Sequence, residues 1–281
     1  MLHVNNEFGR LRKVLMASVE TFHLHEPINL TQEYYYKNDP PVMEKLLKEQ
    51  ADFVSVLSDY EAKIVWADKR SDCTNQLNTR DVAFVIGNTF IVCPMRKKER
   101  QNEHLSLEKV IRSFKKNDRV LRPTAGFIEG GDIILDGSKM FVGISQRTNK
   151  DGLQWLKDSF SSEYTIVPVF LTPKYLHLDC VFNLLSERIA LVQREGITDD
   201  SFSEISKLYD IVDADLSEQI ALPTNVFSIN SKTVVADFRN KITNGRIRES
   251  GKTVIELDFF EMSKIGGSFR CCTCPLERDD V

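Results

Sequence analysis

The 281 residues are 42% hydrophobic and 28% charged with a formal net charge of −4, enough apolar material for a full buried core. That charge speaks against nucleic acid or an anionic membrane surface as main partner, because both call for a basic face. No apolar run reaches the roughly 18 residues of a membrane helix, and Met1–Asn6 lacks the basic-then-apolar order of a signal peptide.

In chain order, Leu11–Met16 reads as a short strand after a Phe8-Gly9 turn. Thr21–Asn38 is polar and aromatic without a period, which predicts a loop. A helix opens at Asp39-Pro40-Pro41, with Met43, Leu46, Leu47, Val54 and Leu57 near a 3.6 period. Lys63–Ala67 is a strand. Four hairpin patterns follow: Asp81–Val92, Asp132–Ile144, Asp179–Val192 and Asn225–Phe238. Their turns fall at Gly87-Asn88, Asp136–Ser138, Ser186–Arg188 and Asn230–Lys232. Helical segments separate them at His104–Lys116, Gly152–Phe160, Phe202–Tyr209 and Asp258–Ser263.

The polar residue opening each hairpin recurs at a nearly constant step. Asp81, Asp132, Asp179, Asn225 and Cys271 stand 51, 47, 46 and 46 residues apart. Five such marks predict five copies of one β/α unit closed into a propeller-like ring. The last unit would be shared, with Phe269–Leu276 beside the N-terminal strand. Strand starts converging on the axis would bring Asp81, Asp132, Asp179 and Cys271 into one pocket.

Chemistry concentrates at those starts. Glu129-Gly130-Gly131-Asp132 sets two carboxylates beside glycines that let a ligand approach the backbone. His177, between Leu176 and Leu178, is expected on the same strand face as Asp179. Six cysteines are too few and too unevenly placed for a disulfide framework, so a reduced, cytoplasmic protein is expected. Three of the six crowd into Cys271-Cys272-Thr273-Cys274, behind Gly266-Gly267. With Cys271 as nucleophile, carboxylates would hold a planar cation, the thiolate would attack its carbon, and a histidine would protonate the leaving amine. A guanidinium is such a cation, and its fork of N–H donors matches paired carboxylates.

These motifs together resemble the guanidino-group modifying superfamily of arginine deiminases, dimethylarginine dimethylaminohydrolases and glycine amidinotransferases. The resemblance rests on Thr79-Arg80-Asp81, Glu129–Asp132, Gln146-Arg147-Thr148-Asn149, His177-Leu178-Asp179 and Gly266–Cys271, in that order. It spans about Phe8 to Arg278 and implies the α/β pentein fold, a five-bladed propeller, as a single catalytic domain over residues 1–281. It implies Cys271 as nucleophile, His177 as general acid and then base, and Glu129 as the residue that orients His177 and binds substrate. Asp81 and Asp179 would hold the guanidinium. Asn75, Arg100 and Arg147 would meet the amino-acid end of the substrate, and Asp132 would bind substrate or cap the Gly-Gly turn. No metal or cofactor is implied, and self-association is compatible with the sequence.

Three departures matter. At 281 residues the chain has no room for the extra helical domain of arginine deiminases. Dimethylarginine hydrolases commonly lack an acid two residues after the histidine, where this chain has Asp179, and that acid disfavours a methylated substrate. The Cys271–Cys274 tail looks more like the amidinotransferases. A hydrolase acting on arginine or a related guanidine is therefore the leading expectation, chiefly on chain length, and an amidinotransferase the alternative. A zinc site of Cys271, Cys272, Cys274 and His177 is a third reading, disfavoured because adjacent cysteines chelate one tetrahedral ion poorly. Cys180 and Cys272 are expected to face the core, Cys73 and Cys93 to be semi-buried, and Arg96–Glu99 to be a solvated run.

Overall fold

The computed structural model describes residues 1–73 and 75–281. Among them are five three-stranded sheets, each with the same order: an antiparallel hairpin, then a third strand laid parallel to the second hairpin strand. The first such blade pairs Ala83–Ile86 with Thr89–Val92 and then Arg119–Leu121. Its tight turn needs Gly87, at φ +56°, a conformation that costs glycine little. The next three blades are Ile133–Asp136, Lys139–Ile144 and Thr165–Phe170; Phe182–Leu184, Ile189–Val192 and Asp210–Asp213; and Phe227–Asn230, Thr233–Asp237 and Thr253–Leu257. The fifth is built from both chain ends. Cys274–Arg278 runs antiparallel to Leu11–Met16, which runs parallel to Lys63–Trp66. The expected five-fold repeat and shared last blade are both present, and the fold is the pentein propeller.

Two expectations need correction. Thr21–Asn38 is not all loop, because helix α1 occupies Leu30–Asn38. Asn29 starts it by accepting the Gln32 N–H at its N-cap. The buried residues of α1 are Gln32 and Tyr35, while Leu30 and Tyr34 face outward. A helix that covers polar groups has no apolar stripe, so no 3.6 period marks it. Helix Lys241–Glu249 also escaped notice, since its buried residues Thr243, Asn244 and Ile247 give a mostly polar inner face.

Helix α2 (Met43–Asp59) buries Leu46, Phe53 and Leu57, whereas Met43 and Leu47 are exposed despite fitting its period. Phe53 packs edge-on against Phe227, Phe259 and Phe269 at centroid distances of 6.1, 5.5 and 5.0 Å. This aromatic cluster lies directly beneath the Cys271 loop. Phe53→Ala would leave a cavity there, with an expected loss of about 3–5 kcal/mol in a urea unfolding curve. Among the described residues no helix is long and apolar enough to cross a membrane.

Candidate active site

Each blade is entered through a short helical turn or bend just ahead of its first strand, and the marked polar residues lie there, not on the strands. Asp81 is in the turn Thr79–Val82, Asp132 in Gly130–Asp132 and Asp179 in Leu178–Cys180. His177 therefore does not share a strand face with Asp179. It is the extended residue (φ −135°, ψ 161°) ahead of the turn, and the strand begins only at Phe182. The tight turn lets His177 and Asp179 face different partners.

His177 stands between two carboxylates. Its Nε2 is 2.8 Å from Glu129 Oε2, and its Nδ1 is 3.7 Å from Asp81 Oδ1. Gly131 permits this approach, because a Cβ there would lie 2.9 Å from His177 Cγ and 3.0 Å from Asp81 Oδ1. Burial alone would lower the imidazole pKa, but Asp81 and the bond to Glu129 outweigh it and raise the pKa to about 9. Burial pushes the Glu129 carboxyl up, yet His177, Arg100 and Arg147 together hold it below the ordinary range. At neutral pH the pair is thus imidazolium and carboxylate. A raised histidine pKa contributes stability that is complete below the ordinary value of about 6.5. That contribution is lost as pH climbs through about 9. The urea midpoint should therefore fall across that alkaline window, and His177→Gln should remove that part of the fall.

Arg100 is buried, unlike the rest of its basic run. Its Nη1 donates to Asp81 Oδ2 at 2.7 Å, and Nε and Nη2 grip Glu103 at 2.9–3.1 Å. Among the described residues Asp81 Oδ1 finds no hydrogen-bond partner, although Asp81 is only 2% exposed. Buried acceptors are rarely left so. Arg147 Nη1 lies 3.4 and 3.5 Å from the two Glu129 oxygens, and its Nη2 donates to the Ile28 carbonyl at 3.4 Å. Asp132 has both oxygens engaged, by the Leu178 N–H at 2.8 Å and Ser145 Oγ at 2.7 Å. These bonds tie the His177 turn to the second blade, and neither of them caps the Gly-Gly turn.

Cys271, at 3% exposure, holds its sulfur 3.7 Å from Asp179 Oδ2 and 3.1 Å from Asn225 Nδ2. Burial, then the charges of Asp179 and Asp81, push its thiol well above the ordinary range. Asp179 Oδ2 accepts from Arg270 Nη1 at 2.9 Å, and Arg270 Nη2 donates to Glu7 Oε1 at 3.1 Å. The other two clustered cysteines turn away: Cys272 Sγ faces the Phe269 carbonyl and Cys274 is fully buried. Cys180, expected in the core, is half-exposed with its sulfur 3.8 Å from Asp179 Oδ1, and Cys73 and Cys93 are more buried than expected.

The start of α1 closes over this cluster. Gln32 Nε2 donates to Asn75 Oδ1 at 3.2 Å and to the Ile265 carbonyl at 2.7 Å. A cavity of about 320 Å³ lies on one side, lined by Ile28, Asn29, Lys97, Gln146, Arg147 and Lys174. A larger one of about 670 Å³ lies on the other, lined by Tyr34, Tyr35, Tyr175, Cys180, Leu222 and Phe260.

Among the described residues, the one group of potential metal ligands is Asp81, Glu129 and His177, within 4.8 Å of one another. It includes none of the three clustered cysteines, for which a zinc site is the disfavoured reading. Arg100 also lies 2.7 Å from Asp81 and 3.7 Å from Glu129, so the carboxylates already face a cation. Residues not nominated from the sequence are Asn225, Arg270, Glu103 and Gln32. The repeat step did mark Asn225, and Arg270 adjoins the nucleophile. Glu103 and Gln32 carried no signal.

This constellation has counterparts. Residues 19–278 match the family profile of N,N dimethylarginine dimethylhydrolase, eukaryotic. The chain belongs to this family of the guanidino-group modifying superfamily. The uncharacterized protein YkgA of Bacillus subtilis (strain 168) is 38% identical, covering 98% of this chain and 94% of its own. An arginine deiminase of Limosilactobacillus reuteri (strain DSM 20016) is 29% identical over 74% of this chain. This chain spans 62% of that deiminase's length. SxtG, an amidinotransferase from Microseira wollei, superposes with a TM-score of 0.86 at 21% identity, covering 100% of this chain and 98% of its own. The N-terminal domain of ArgZ, an arginine dihydrolase from cyanobacteria, gives 0.85 at 18%, covering 95% and 97%. Both superpositions show the same fold.

Proposed function

We propose that the chain is a single catalytic domain that hydrolyses the guanidino group of arginine or a close relative through a covalent amidino-Cys271 intermediate. The observation that carries this reading is the unpartnered, buried Asp81 Oδ1 beside His177, an acceptor that a guanidinium N–H would satisfy. Asp81 and Asp179 hold the guanidinium from two blades, and Arg147 and Asn75 meet the carboxylate end; Arg100, expected there too, is instead committed to Asp81 and Glu103 and braces Asp81. The arriving cation offsets the carboxylates that keep the Cys271 thiol protonated, and the thiol loses its proton to solvent water as the substrate binds, His177 being already protonated. The thiolate then attacks the guanidino carbon. His177, protonated at neutral pH, transfers its proton to the departing amine as the C–N bond breaks. A water takes the vacated space, gives a proton back to His177 and attacks the amidino carbon. Collapse of that adduct breaks the C–S bond, releases the ureido product and returns the thiolate.

An amidinotransferase differs only in that an amine replaces the water. The aromatic cavity beside Cys180 and Gly266 is the feature that favours this second reading, since it gives an acceptor room to approach. Mass spectrometry of products from L-arginine and from N,N-dimethylarginine, with and without glycine, separates the two. Citrulline without an acceptor supports the hydrolase, and ornithine plus ammonia alone indicates continued hydrolysis. An amidino group found only on the added amine replaces the reading with transfer.

A further inference from the structure

We propose that Asn225 is a catalytic residue, whose carboxamide holds the Cys271 loop with its oxygen and stabilises the attacking sulfur with its nitrogen. The inference rests on Cys271 being the nucleophile. Asn225 Oδ1 accepts the backbone N–H of both Arg270 and Cys271, each at 3.1 Å. Two donors on one atom fix which end of the amide is oxygen, so Nδ2 necessarily faces the sulfur, at 3.1 Å. Its other contact, 3.4 Å to the Asp179 carbonyl, is the weaker one. The residue is 1% exposed, so this donor bond is shielded from water.

Its place in the fold is equally specific. Asn225 opens the fourth blade as Asp81, Asp132 and Asp179 open the first three, one repeat before Cys271. Where three repeats place a carboxylate, this one places the neutral amide nearest the sulfur. The groups facing Cys271 explain why. Asp179 and Asp81 both disfavour the thiolate, Cys180 would too if ionised, and Arg270 is committed to Asp179 and Glu7. His177 makes its hydrogen bond with Glu129. Among the described residues, Asn225 is the side chain whose N–H reaches the sulfur, beside a backbone hydrogen bond from Ser268. A fourth carboxylate would oppose ionisation, whereas an amide donor offsets part of the charge in a dry site.

The test uses Asn225→Ala, with Asn225→Leu as a second neutral variant of similar volume should the first not fold. Neutral replacements are needed because an added charge would shift the thiol by itself. The rate of Cys271 alkylation by iodoacetamide is followed against pH by peptide mass spectrometry, with no substrate present. The rising limb should move upward by about one pH unit, and kcat should fall about 10- to 100-fold, the range for one hydrogen bond to a charged group. KM should stay within about twofold, since this donor acts on the sulfur. A folded variant with an unmoved limb, whether or not kcat falls, would reduce Asn225 to loop support and overturn the proposal. Because alkylation needs no guanidine, that outcome is distinct from failure of the hydrolase reading, which shows as absent product in the unmutated protein.

Discussion

Cys271→Ser is expected to abolish turnover, by about 10⁴-fold or more, while leaving the thermal midpoint close to that of the parent. A serine hydroxyl placed 3.7 Å from Asp179 and buried at 3% exposure has no base that could ionise it. No covalent amidino adduct should be seen by mass spectrometry of the intact variant. The fold should survive because the Asn225 oxygen grips the loop through backbone N–H groups, which serine retains. Cys272→Ser is the matched control. Its sulfur faces the Phe269 carbonyl, and the change should leave kcat nearly untouched. Activity persisting in the Cys271 variant would remove the nucleophile from the mechanism.

Arg270→Met should destabilise the protein by about 3–5 kcal/mol, because it strands buried charges. Arg270 lies 2.9 Å from Asp179 and 3.1 Å from Glu7, and both acids are buried. Burial raises the Glu7 carboxyl, but Arg270 and then Arg80 pull it below its ordinary value. A carboxyl lowered in this way contributes stability above its unfolded pKa, and that contribution is lost as pH falls through the folded one. The gap between parent and variant in urea should therefore be widest at neutral pH and narrow in acid. A gap unchanged by pH would mean that the arginine stabilises through packing alone. Turnover should fall as well, since Asp179 loses the partner that aims it at Cys271.

The ring could be read from the chain because its five entries repeat at an almost constant step, and repetition is a signal that short strands individually lack. Among the third strands, Arg119–Leu121 and Asp210–Asp213 have only three and four residues, too few to display a period. Helix α1 was hidden for the opposite reason: its inward residues answer polar groups such as Asn75, so apolar spacing says nothing about it. The same contrast runs through the site. Cys271, His177, Glu129 and Asp81 announce themselves by residue type and motif. Asn225, 3.1 Å from the sulfur, looks like an ordinary turn residue until the two N–H groups on its oxygen are seen. Glu103 is one acid among many, and only its grip on Arg100 gives it meaning.

Closing the fifth blade with both chain ends has a consequence for how the protein is made. Cys271 lies three residues ahead of the strand Cys274–Arg278, whose partner is Leu11–Met16. During synthesis Leu11–Met16 can pair early with Lys63–Trp66, but its other edge waits for Cys274–Arg278 to leave the ribosome, so ring closure is a slow, long-range event. The carboxylates gather earlier, and the sulfur arrives with the last staple. With Cys271 as the proposed nucleophile, a nascent chain stays chemically silent until the ring closes.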